Sequence, residues 1–159
     1  MYDQLQLENI LRKWQAVLRL RDWDIKLELV TREWRKTGDV KIDRTDRTAI
    51  LLLNACNPKQ TNVEAVIIHE LVHIKLWGMD QMIESLLHAV YGEDGADPKL
   101  AFAYDQFMEV LETTTEDLAR GYVELGADDK SVSYGRIQRQ ADEEWNRPVD
   151  GKRLKECSE

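Results

Sequence analysis

The sequence predicts a small α+β fold in which a short antiparallel sheet packs on one buried helix and on a second, longer helix that follows it. Three observations predict it. Residues 23–29 alternate apolar and polar side chains, the period of a half-buried strand. Residues 63–77 are apolar on almost every side, as in a helix enclosed by other structure. Residues 98–125 carry one apolar stripe among many charges, which describes a long helix with one packed face.

At 159 residues, 43% hydrophobic and 33% charged, the chain has the profile of one globular domain and needs no disulfide scaffold. Residues 1–127 are expected to form the domain, and residues 128–159 a peripheral helix and a mobile C-terminal tail. No apolar run approaches the length of a membrane span, and the charged first thirty residues do not resemble a signal peptide. Cys56 and Cys157 are too few for a disulfide framework or a four-cysteine zinc cluster. A reducing cytoplasm is the expected location, with no membrane partner.

The net charge of -8 is unevenly spread. Residues 1–60 hold 12 basic and 9 acidic side chains, residues 61–129 hold 3 and 15, and residues 130–159 hold 7 and 6. An acidic middle argues against a broad phosphate-binding surface, so no nucleic-acid partner is expected. It suits a solvated face first, then a cation site or a basic substrate.

In chain order, residues 3–20 read as a helix capped by Asp3, with Leu5, Ile10, Leu11, Trp14, Val17, Leu18 and Leu20 near helical spacing. Strands are expected at 23–29, 39–44 and 48–54, the last nearly all apolar and therefore central. After the turn at Asn57-Pro58-Lys59-Gln60, Thr61 or Asn62 caps the apolar helix, and Gly78 stands where it should end. Asp80 then opens a separate helix to about Tyr91. In the long helix, Leu100, Tyr104, Phe107, Leu111, Leu118 and Tyr122 form the stripe, and Gly126 follows it. The five tryptophans, Trp14, Trp23, Trp34, Trp77 and Trp145, read as packing residues rather than a binding platform. Lys152-Arg153-Leu154-Lys155 reads as a disordered basic tail, and Cys157 within it as a thiol with only a remote prospect of reaching a metal site.

One motif carries chemistry. His69-Glu70-Leu71-Val72-His73 is an H-E-x-x-H string inside the buried helix. A spacing of four residues puts the two imidazoles about 40° apart on one face, where adjacent turns can grip one ion. Glu70 lies one residue on and can act as general base toward a water on that ion. The string arises by chance in about one such sequence in two hundred, so its surroundings must decide its meaning. Two of the three histidines fall in this single turn, and burying three polar side chains among aliphatics is costly unless a metal satisfies them. The bland alternative is a hydrogen-bonded polar cluster in a core helix.

A catalytic zinc needs a third protein ligand. His88 is the one remaining histidine, but it falls outside any tight ligand spacing and reads first as a packing or surface residue. The long helix offers Glu109, Glu112 and Glu116. With Leu111 at the centre of the stripe, Glu112 lies about 100° away, Asp105 and Asp117 about 120°, Glu116 about 140° and Glu109 about 160°. Glu112 is thus the acid nearest the packed face, and Glu116, one turn later, could orient a histidine. Taken singly, each is an ordinary acid on a solvated helix face.

His69-Glu70-x-x-His73 followed by Glu112 on a later helix resembles the zincin metallopeptidases, specifically their glutamate-ligand (gluzincin) branch. Glu112-Thr-Thr-Thr-Glu116 is similar to that branch's E-x-x-x-D element, with Glu in place of the usual Asp. The size and order also resemble the small bacterial and phage proteins of that branch, the minigluzincins, and ImmA/IrrE-like domains. The likeness spans about residues 20–125, and Lys75 departs from the apolar residue of the extended signature. The resemblance implies a zinc-dependent hydrolase of peptide or protein substrates. It implies His69, His73 and Glu112 as ligands, Glu70 as general base and Glu116 as support for a histidine. It further implies that substrate pairs with the strand before the histidine helix, here 48–54, although an interior position for that apolar strand is an equal alternative. No oxyanion-stabilising tyrosine or histidine is assigned by position. The rival reading is a non-catalytic zinc-binding interaction module, which would fill the fourth metal position with His88 or another carboxylate. A metal-free helical adaptor is a third. Substrate identity and oligomeric state are not encoded in any motif.

Overall fold

The computed structural model describes residues 3–147. The order of elements is α1 (Gln4–Val17), β1 (Asp24–Val30), β2 (Gly38–Asp43), β3 (Thr48–Asn54), α2 (Val63–Tyr91), α3 (Pro98–Gly126) and α4 (Gly135–Trp145). The expected α+β class is the one observed. The basic run 152–155 and Cys157 lie outside the described residues. Among the described residues, no helix is long and apolar enough to cross a membrane.

Helix α1 begins where Asp3 accepts from the Gln6 amide at 2.8 Å while the Gln6 side chain accepts from the Asp3 amide, a reciprocal cap. Its packed face is Leu7, Leu11, Trp14 and Leu18. Leu5 and Val17, expected in that stripe, are exposed; Leu7 stands one turn before Leu11 and takes the inner position instead.

The sheet is mixed, which corrects the antiparallel expectation. Its order is β1-β3-β2, with β1 parallel to β3 from Asp24↔Thr48 to Val30↔Asn54, and β2 antiparallel to β3. Alternation gives a strand its buried face but not the direction of its neighbour. Here the chain leaves β1, crosses to the far edge as β2, and returns through a tight turn into the centre as β3. Ala49, Leu51 and Leu53 of β3 face the core with Ile25 and Leu27 of β1. Because β3 is paired on both sides, it has no free edge for a substrate. The edge strand nearest the histidine helix is β2.

Asn62 caps α2, its side-chain oxygen accepting from the Ala65 amide at 2.9 Å. Gly78 does not end this helix, and no separate helix starts at Asp80; α2 runs unbroken to Tyr91. A lone glycine costs a helix only about 1 kcal/mol, which is too little by itself to end one. The inner face of α3 also departs from the expected stripe. Leu100, Leu111, Thr115, Ala119 and Val123 are buried, whereas Tyr104 and Leu118 are exposed. Small Thr115 and Ala119 let the helices approach closely. Measured from Thr115, Glu112 stands only about 60° off the packed centre, so the stripe drifts toward the acids. Helix α4 has no buried residue, and Trp145 is exposed rather than packed.

The joint between these layers is the Glu64 carboxylate, which is 1% exposed. Its Oε1 accepts from Trp14 Nε1 at 2.6 Å and Lys13 Nζ at 3.0 Å; its Oε2 accepts from the Asp128 and Asp129 amides at 2.8 and 3.0 Å. Burial raises the carboxyl pKa, but these donors outweigh it and hold the group below the usual carboxylate range. A depressed pKa contributes stability that is complete above the unfolded value near 4.5 and is lost as pH falls through the folded value. Glu64→Gln is therefore expected to lower unfolding stability by about 2–4 kcal/mol at neutral pH. The gap to wild type should narrow in acid, as read by urea melts at pH 7 and pH 3. A gap that stays constant between those pH values would show that the charge is not what holds the joint.

Candidate metal centre

Helices α2 and α3 run antiparallel, so residues advancing along one meet residues retreating along the other. His69 faces Glu116, and His73 faces Glu112. His69 Nε2 and His73 Nε2 are 3.1 Å apart; Glu112 Oε2 lies 3.5 Å from the first, and Glu112 Oε1 3.5 Å from the second. One donor atom from each of the three residues lies within 4.8 Å of the others. Four ligands at 2.0–2.2 Å around a tetrahedral ion are separated by about 3.3–3.6 Å. The two 3.5 Å separations are long for hydrogen bonds and match that edge. This donor set, two imidazoles and a carboxylate, could hold a metal ion.

The remaining residues of the motif take distinct places. Glu116 Oε2 lies 3.3 Å from His69 Nδ1, the ring nitrogen turned away from the cluster, but off the line of a hydrogen bond. Glu116 also accepts from Arg120 Nε at 3.1 Å. Glu70 is 7% exposed, and its carboxylate points to the start of β2 rather than into a hydrogen-bond network. His88 is exposed on α2 and stands about 22 Å along the helix from His73, which removes it from the cluster. Glu109 is exposed and takes no part.

Charges in this pocket are strongly coupled. Burial alone would lower the His69 pKa, but the Glu112 and Glu116 carboxylates hold it up to about 9. Burial and the neighbouring His69 push His73 down. Burial pushes the Glu70 carboxyl up to about 7, partly opposed by His69. Contact with His69 lowers both Glu112 and Glu116, the latter to about 2. Two imidazole nitrogens facing each other at 3.1 Å can share one proton, or both can turn lone pairs to one cation.

The cluster opens on a cleft of about 830 Å³. Residues 35–42 form one wall; Val66, Glu70 and Trp77 of α2, with Met108 and Leu111 of α3, form others. Sequence reasoning missed Gly38, the first residue of β2. A Cβ at this position would stand 2.5 Å from Glu70 Oε1 and 2.7 Å from Val66 Cγ1. The glycine makes room for the Glu70 carboxylate under the edge strand. Only its place at the head of a strand, before an alternating run, hinted at a special role.

In comparisons with known proteins, no family model, no curated protein and no solved structure matches this chain.

Two results are expected. Gly38→Ala should lower stability by about 1–3 kcal/mol. The loss should be smaller in a Glu70→Ala background, where the colliding oxygen is gone; equal losses in both backgrounds would show that the two residues do not compete for space. Purified wild-type chain should hold about one divalent transition-metal ion, with affinity weakened more than about 100-fold by Glu112→Ala and unchanged by His88→Ala. Metal analysis after dialysis against competing chelator reads both, and full retention in Glu112→Ala would remove that residue from the ligand set.

Proposed function

We propose that the protein is a zinc-dependent metallopeptidase of the zincin type, with His69, His73 and Glu112 as ligands and Glu70 as general base. The observation that carries this reading is the convergence of two imidazole nitrogens and one carboxylate, with a ligand atom from each within 4.8 Å of the others, on the wall of an open cleft. Zinc is favoured over harder cations by the two-nitrogen, one-oxygen donor set. When bound, the ion supplies Lewis acidity toward a carbonyl oxygen and acidifies water.

The chain's own residues do the rest. Glu116 sits at the far nitrogen of His69, where its charge favours a proton on Nδ1 and leaves Nε2 free to ligate. Glu70 follows His69 by one residue and lies on the cleft wall, so its carboxylate can take a proton from water and pass it to a leaving amine. Gly38 brings β2 close to that carboxylate. As an edge strand lining the cleft, β2 offers backbone groups to an extended peptide by strand addition, the role the resemblance would have given to residues 48–54. The cleft lining contains no tyrosine and no histidine beyond the two ligands among the described residues. Donors to a developing oxyanion there are cationic side chains and strand amides.

A non-catalytic zinc module would fill the fourth ligand position from the chain. Among the described residues the cluster has three members, and His88 is remote from it. Glu70→Gln separates the readings. A peptidase keeps its metal and loses about 10²–10⁴-fold in peptide cleavage, measured by mass spectrometry on a mixed peptide library. Cleavage undiminished in that variant would remove Glu70 from the chemistry. A metal-loaded wild type that cleaves nothing in the library would favour the binding module.

A further inference from the structure

The acidic stretch 61–129 does not supply the cations around the cleft. Five basic residues line it: Arg35, Lys36 and Lys41 from β2 and its lead-in, Lys59 from the loop before α2, and Arg136 from the start of α4. All come from the two net-basic stretches of the sequence. Lys36 and Lys41 both pair with Asp39, at 2.8 and 2.7 Å. Arg35, Lys59 and Arg136 are exposed and form no ion pair among the described residues.

These three are brought together by the fold. The Asn54 side chain, at the end of β3, donates to the Trp34 and Lys36 carbonyls at 3.2 and 2.7 Å, fixing the backbone on both sides of Arg35. The Lys59 amide donates to Thr37 Oγ1 at 3.3 Å, which ties the loop before α2 to the same wall. Gly135 packs directly on the Lys59 carbonyl, where any side chain would collide, and so sets Arg136 beside them. A chain of net charge -8 therefore holds a cationic rim over its cleft.

We propose that the cleft selects acidic peptide segments, with Arg35, Lys59 and Arg136 as the residues that determine this specificity. The inference deepens the peptidase reading and rests on it for the cleavage arm of its test. Opposite charge on a cleft rim concentrates and orients the complementary ligand, and does so less as salt rises. Three unpaired cations above a lining that also carries Asp39, Glu70, Asp80 and Glu112 make a poor track for a nucleic-acid backbone, which needs a continuous basic surface. A short run of Asp and Glu beside an extended backbone on β2 fits the same geometry.

The test uses matched ten-residue peptides flanked by Asp/Glu, by Gln or by Lys. Binding to the zinc-loaded Glu70→Gln protein is read by fluorescence anisotropy, and cleavage by zinc-loaded wild type by mass spectrometry. The acidic peptide should bind about tenfold more tightly than the basic one at low salt, and the gap should shrink at about 0.5 M salt. In Arg35→Glu/Lys59→Glu/Arg136→Glu the order should invert, a gain toward basic peptides that misfolding cannot produce. Equal binding of the three peptides, a preference for the Gln or Lys series, or binding of single-stranded DNA without binding of the acidic peptide would each overturn the proposal. Charge-ordered binding with no cleavage of any peptide would sink the peptidase reading and leave this one standing. Cleavage equally fast in all three series would do the reverse.

Discussion

Everything in this fold hangs on one buried carboxylate at the head of the histidine helix. Glu64 accepts four hydrogen bonds, two from side chains of α1 and two from backbone amides beyond the end of α3. An ionised carboxylate out of water is tolerable only when its lone pairs are satisfied, so the four donors cannot drift independently. Asn62, two residues earlier, adds to the same joint by donating to the Asp129 and Ser131 carbonyls at 2.9 and 3.0 Å. The rotation of α2 about its axis is thereby set five residues before His69. The exit of α3 is set at the same point, and with it the depth to which Glu112 and Glu116 reach.

The antiparallel pairing of α2 with α3 converts that constraint into a site. Thr115 and Ala119 are small enough for the helices to close, and the acids on the adjoining rows then meet the two histidines in order. The result is electrostatically uneasy. Two imidazoles, one of them driven toward the neutral form, and a carboxyl pushed up to about 7 share a partly dry pocket. A structure built only for stability would replace such a group with aliphatics at little loss. A divalent ion held there would resolve the conflict, because it would take both lone pairs and let the carboxylates remain charged.

The sheet serves this site from the other side. Its central strand is enclosed and carries the core, while β2 lies at the rim with its residues along the cleft. At Gly38 sheet and helix approach closely, and the absence of a side chain there leaves room for the Glu70 carboxylate. The same rim gathers basic residues from parts of the chain far apart in sequence. The balance of charge along the cleft therefore differs from that of the chain as a whole, with five cations and four carboxylates in the lining.

The sequence by itself determined the local features. The caps at Asp3 and Asn62, the strands near 24–30 and 48–54, the buried histidine turn and the nomination of Glu112 all follow from periodicity, side-chain chemistry and helical geometry, which act over a few residues. Tertiary structure decided what depends on residues distant in the chain. Strand direction and order came out mixed rather than antiparallel, because alternation records burial and says nothing of a neighbour's polarity. Helix α2 passed through Gly78, because a lone glycine is only a weak local stop signal. The role of Gly38 was invisible because it depends on a carboxylate thirty-two positions later in the chain arriving within contact distance. The charge of the cleft could not be counted from composition either. Charge sums run along the chain, and a surface is assembled across it.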